Sequence, residues 1–105
     1  MKLETITRVP KTQTHKTPLL FVHGMWHGAW CWNEFFLPYF DEQGYHATAL
    51  SLRGHAASQG KISGSSIANY VSDVEQVART FDTPPVIIGH SMGGMLAARF
   101  AIAYP

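Results

Sequence analysis

Residues 86–104 constrain the fold of this chain more than any other stretch. The apolar triplet Val86-Ile87-Ile88 runs into Gly89-His90-Ser91-Met92-Gly93, and a helical run from Met92 to Tyr104 follows at once. A G-x-S-x-G pattern between a buried strand and a helix reads as a sharp turn with the serine at its apex. Side chains two residues before and two after such a serine would collide, which accounts for Gly89 and Gly93. Gly94 and the small residues Ala97, Ala98 and Ala101 predict a helix lying close to a sheet.

The rest of the chain supplies partners for that strand. Pro18 to Val22 is uninterrupted apolar sequence ending in His23-Gly24, as expected of a strand buried on both faces. Trp32, Phe35, Phe36, Tyr39 and Phe40 follow helical spacing up to a stop at Gly44, and Pro38 inside the run either kinks the helix or marks its regular start. Residues 46–52 read as a second strand and 53–65, rich in Gly, Ser and Ala, as a loop. Ile67, Tyr70, Val71, Val74, Val77, Ala78 and Phe81 trace one helix face behind a Ser66 N-cap, and Asp82-Thr83-Pro84-Pro85 ends it. Residues 1–17 form an N-terminal segment, an edge strand at 3–9 and then a loop, ahead of a domain over 18–105. The order β-α-β-α-β-α predicts an α/β fold with a mostly parallel sheet flanked by helices.

Composition narrows the function classes. The 105 residues are 46% hydrophobic and 14% charged, enough for one buried core. A net charge of +1 without a basic block argues against nucleic acid. The six histidines show no metal-ligand spacing, so neither metal nor cofactor is expected. Cys31 is the only cysteine and reads as a packing residue. It leaves the redox compartment open, with the expectation leaning to the cytoplasm. Met1 to Lys16 lacks the apolar core of a secretory signal, and no apolar run is long enough to span a membrane.

A serine hydroxyl is a weak nucleophile that needs a base and an oxyanion site. A helix starting after Ser91 places the Met92 N–H beside it, aided by the helix dipole. A second donor is expected from the turn His23-Gly24-Met25, since both turns lie at the carboxyl ends of parallel strands. The Met25 N–H is that donor, with Gly24 allowing close approach. Trp26 is the candidate for facing substrate, set against an equal expectation of core packing. His23 is expected to brace the turn rather than act as base, and His90 to point away from the serine. His55 is read as solvated or structural, and Arg53 as loop-ordering or simply solvated.

Together these residues resemble the α/β-hydrolase superfamily. The resemblance rests on Leu19-Leu20-Phe21-Val22-His23-Gly24, Ser51-Leu52-Arg53-Gly54-His55, Tyr70-Val71-Ser72-Asp73-Val74 and Gly89-His90-Ser91-Met92-Gly93-Gly94. The stretch His23 to Trp32 is most similar to the branch of plant methyl esterases and hydroxynitrile lyases; bacterial lysophospholipase-like hydrolases are also similar. The resemblance implies Ser91 as nucleophile, Met25 and Met92 as oxyanion donors, and a small-molecule carboxylic ester as substrate. It also implies a triad acid and histidine later in the fold, yet no histidine or acidic residue follows Ser91. The family often has Asp-Leu-Arg-Gly-His-Gly where this chain has Ser51-Leu52-Arg53-Gly54-His55-Ala56, a change expected to affect loop geometry more than chemistry. The leading expectation is therefore the N-terminal part of an ester hydrolase, inactive alone. A non-catalytic binding module and one half of a split enzyme, with a complementing C-terminal half, are the alternatives. The apolar end Ala101 to Pro105, beside a sheet edge with nothing to cover it, favours the first.

Overall fold

Four short strands carry the architecture, in a computed structural model that describes residues 1–104. In chain order the elements are β1 (Thr5–Arg8), β2 (Leu19–Val22), α1 (Trp30–Asn33), α2 (Phe36–Glu42), β3 (Ala47–Leu50), α3 (Ile67–Ala78), β4 (Val86–Gly89) and α4 (Met92–Ala103). The sheet order is β1-β3-β2-β4. β2 runs parallel to β3 and to β4, and β1 closes the far edge antiparallel to β3.

Both faces of β2 and β3 are covered, so all four residues of each strand are buried, and β2 reads as an unbroken apolar run rather than an alternating one. On one face Leu20, Val22, Leu50 and Leu52 meet Tyr70, Val74 and Val77 of α3 and Leu96 of α4. On the other, Leu19, Phe21, Ala47 and Ala49 meet Ala29, Trp32 and Leu37. β4 has one sheet neighbour among the described residues, and Val86 is 49% exposed along it.

β1 and β3 are shorter than the sequence suggests, four residues each where 3–9 and 46–52 are the expected ranges, while β4 runs one residue past the expected Val86 to Ile88. The aromatic run does not form one helix either. It splits at Glu34-Phe35 into α1 and α2. In a continuous helix Pro38 would delete the bond to the Glu34 carbonyl and clash with it. As the third residue of α2, it sits where an amide has no intrahelical partner anyway. α3 begins as its sequence predicts: Ser66 Oγ accepts from the Asn69 N–H while Asn69 Oδ1 accepts from the Ser66 N–H.

α4 departs from expectation on its faces. Gly93 and Leu96 are its buried residues, while Ala98 and Ala101 are exposed, so close approach to the sheet is confined to the first turn. No helix among the described residues is long and apolar enough to cross a membrane. No group of three or more His, Cys, Asp or Glu among them could hold a metal ion.

Candidate active site

Parallel register decides what lies beside Ser91. Val22 pairs with Gly89, so the turns leaving β2 and β4 emerge side by side. The His90 N–H continues the ladder by donating to the Val22 carbonyl at 3.1 Å. Ser91 then takes φ 57° and ψ −120°, a region L side chains rarely enter, and α4 starts at the next residue. Such a conformation costs about 1–3 kcal/mol and persists only where surrounding contacts over-determine it.

Those contacts are glycines. A Cβ at Gly24 would lie 3.2 Å from the Ser91 Cβ and 3.7 Å from its Oγ, so the β2 turn passes directly against the serine. A Cβ at Gly89 would run into the Gly93 backbone, and one at Gly93 into the Val22 and His23 carbonyls. Gly94 differs, since its Cβ would meet the Gly89 oxygen at an ordinary 3.6 Å. Ser91 is exposed, Met25 and Met92 half-buried. The N–H groups of Met25 and Met92 donate to no acceptor among the described residues.

His23 explains the rigidity of the first turn. It is fully buried. Its Nε2 accepts from the Leu52 N–H at 2.9 Å, so Nδ1 carries the proton and donates to the Gly24 carbonyl at 2.6 Å. Carbonyl and N–H of a trans peptide point to opposite sides. Holding the Gly24 carbonyl therefore also fixes the direction of the Met25 N–H. Burial lowers the His23 pKa from 6.5 to about 4, opposed by the bond to Gly24 and aided by His55 and His27 nearby.

The other histidines near the two turns differ in their surroundings. His55 is buried rather than solvated: Nδ1 donates to the Arg53 carbonyl at 3.0 Å, and Nε2 is enclosed without a partner. His90 is exposed at the strand end, and His27 stacks on Trp30. No imidazole among the described residues hydrogen-bonds to Ser91. Trp26, at φ 69° and 74% exposed, stands beside the β2 turn with its ring 6.5 Å from that of His55. A groove of about 660 Å³ lined by Pro84, Pro85, Ile87, Phe100 and Tyr104 lies at the other end of β4, away from the serine.

Arg53 orders its loop rather than reaching into solvent. Its Nη2 and Nε clasp Asp73 at 2.7 and 3.0 Å, Asp73 Oδ2 accepts from the Arg53 N–H at 2.9 Å, and Nη2 reaches the Asn69 carbonyl at 3.1 Å. The Asp73 side chain is 1% exposed and that of Arg53 19%. The sequence carries a signal for Asp73 but not for its partner: an acid on the same helix face as Tyr70, Val74 and Val77 needs a buried cation. Replacing Asp73 with alanine leaves the guanidinium half-buried and unpaired. Urea unfolding is expected to show a loss of about 3 kcal/mol, and a loss within 0.5 kcal/mol (about the scale of a neutral surface change) would contradict the pairing.

The Alpha/beta hydrolase family matches this chain over residues 19–104. Protein phosphatase methylesterase 1 of Mus musculus is 35% identical over an alignment of 101 residues that covers 91% of this chain and 26% of the relative. Methylesterase 9 of Arabidopsis thaliana is 29% identical over 89 residues, 82% of this chain and 34% of the relative. Among solved structures, a thioesterase domain from the curacin biosynthetic pathway superposes with a TM-score of 0.81 at 28% identity, over 98% of this chain and 36% of that one. The chain thus spans about a quarter to a third of the length of these proteins.

Proposed function

This chain belongs to the alpha/beta hydrolase family, and on that premise we propose that it carries the nucleophilic half of a carboxylic-ester hydrolase. The reading rests chiefly on one observation. Ser91 is held at φ 57° at the mouth of β4, against the Gly24 turn, and the N–H groups of Met25 and Met92, next in sequence to Gly24 and Ser91, donate to no acceptor among the described residues. In this role Ser91 Oγ attacks the acyl carbonyl of a small-molecule ester. The Met25 and Met92 N–H groups take the oxyanion, the alcohol departs, and water releases the acid from the acyl-serine. Trp26 faces the alcohol or acyl portion at the mouth of the site.

The proton acceptor for Ser91 and the carboxylate that orients it come from polypeptide other than residues 1–104, either chain continuing this one or a complementing C-terminal half. His23 and His55 are buried in the bonds above, Asp73 is clasped by Arg53, and no imidazole among the described residues hydrogen-bonds to Ser91. The alternative role, a binding module without catalysis, draws on the same observation.

The test joins residues 1–105 to the C-terminal part of a methylesterase relative and follows p-nitrophenyl acetate hydrolysis. The joined protein is expected to turn over, and Ser91→Ala to reduce kcat by at least about 10³-fold. The 105-residue chain alone is expected to match its own Ser91→Ala variant. A folded, active joined protein indifferent to Ser91→Ala would overturn the nucleophile assignment. Turnover by the short chain that vanishes on Ser91→Ala would overturn the external base.

A further inference from the structure

The segment that holds the Met25 N–H has a second anchor besides His23. Ala29, at its far end, is fully buried, and its N–H donates to Ser51 Oγ at 2.9 Å. Ser51 is fully buried as well, and its hydroxyl proton goes to Glu4 Oε1 at 2.7 Å. The direction of both bonds is forced, because an ionised carboxylate only accepts and a backbone N–H only donates. Ser51 therefore relays the charge of Glu4 to an amide that Glu4 does not touch.

Glu4 is itself pinned from three directions. Its carbonyl accepts from the Ser51 N–H at 2.8 Å, its N–H donates to Ser58 Oγ at 2.8 Å, and Oε1 takes a longer bond from the Ala57 N–H at 3.4 Å. A Cβ at Gly28 would come within 2.9 Å of the Ala56 Cβ and of the Trp30 ring, so the segment passes close to the loop that carries Ala57 and Ser58. Residues 24–29 thus run between two fixed ends: the Gly24 carbonyl on His23 and the Ala29 amide on Ser51.

We propose that Glu4, acting through Ser51, is a positioning residue for the loop that presents the Met25 N–H to the substrate oxyanion. The inference rests on the proposed role of Met25. Neutral hydrogen bonds gain strength when a charged acceptor polarises the chain they belong to. Glu4 precedes the edge strand, and 47 residues of sequence separate it from Ser51. The N-terminal segment is in this way part of the site's frame.

Amide hydrogen exchange by NMR on the 105-residue chain tests the relay. Glu4→Ala is expected to speed exchange at Ala29 by at least about tenfold and to broaden or shift the amides of residues 25–28. Leu52, held by His23, and core amides such as Leu20 and Ala49 are expected to stay protected. Ser51→Ala should have the same effect, and the double variant no more than either single one. Glu4→Gln, which keeps an acceptor oxygen but not the charge, should restore only part of the protection at Ala29 and serves should Glu4→Ala fail to fold; exchange at Ala29 equal to that of the unsubstituted chain would overturn the part played by the charge. Unchanged exchange at Ala29, equal loss at every core amide, or additive single variants would each overturn the proposal. Phenylboronic acid, a tetrahedral oxyanion mimic when bound to serine, separates this from the reading beneath it. If it leaves the Met25 and Met92 amides of the joined protein, which carries its own base, unmoved, the oxyanion role fails. If it moves them equally in Glu4→Ala, only the positioning role fails.

Discussion

Alanine at position 93 is expected to unfold most of this chain, while alanine at position 94 is expected to leave it as stable or stabilise it. The two glycines are neighbours in the first turn of the same helix, so helix propensity alone predicts equal gains of about 1 kcal/mol for both. Their surroundings differ. At Gly93 a Cβ would enter the space of the Val22 and His23 carbonyl oxygens. Both are backbone atoms at the end of the central strand, and neither can rotate away as a side chain would. α4 would have to lift from the sheet, losing the burial of Leu96 and the geometry around Ser91. A loss of at least about 3 kcal/mol is expected, at the upper end of overpacking costs. At Gly94 the nearest atom is 3.6 Å away, so the propensity gain survives. Thermal or urea unfolding of the two variants decides the matter. Equal stabilities would mean that α4 does not sit against the β2 turn as described.

The second large effect belongs to His23 and depends on pH. Removing the imidazole strands two buried groups, the Leu52 N–H and the Gly24 carbonyl. Each unsatisfied group costs about 1–3 kcal/mol, and a cavity adds to that. His23→Ala is thus expected to cost about 4 kcal/mol at pH 7.5. Below that the gap between wild type and variant should narrow. The imidazole titrates at its ordinary 6.5 when the chain is unfolded and at about 4 when folded. Above pH 6.5 both states are neutral and the stabilisation is complete. As pH falls from 6.5 to 4 the unfolded state binds the proton first, and stability declines by about 3 kcal/mol in total. Below pH 4 both states are protonated and the decline stops. Chevron or urea data on both proteins from pH 7.5 to 4 isolate this group, because other titrations cancel in the difference. A gap that stays constant across that window would show that His23 is not held neutral by burial.

Much of this was legible along the chain. Local rules located Ser66 as a cap, Gly89 and Gly93 as obligatory glycines, and the double-sided burial of residues 19–22. Each depends on neighbours within a few residues or on the period of the apolar pattern. The split at Glu34-Phe35 was half visible, since Pro38 announced a break but not on which side of it the helix would survive. The small residues Ala98 and Ala101 misled, because a stripe of alanines says that a helix could lie close to something without saying to what.

What tertiary structure alone decided were the long-range bonds. The sequence by itself determined most of the elements, the alternation of strand and helix, and a serine at a strand-to-helix turn, because hydrophobic period, capping and steric exclusion act over a few residues. It could not determine that Glu4 reaches Ser51, that Arg53 takes Asp73, or that His55 is buried. Those outcomes follow from the β1-β3-β2-β4 order and its register. Those set which loops share the carboxyl end of the sheet, and a polar side chain buried there must find its partner among whichever loops arrive.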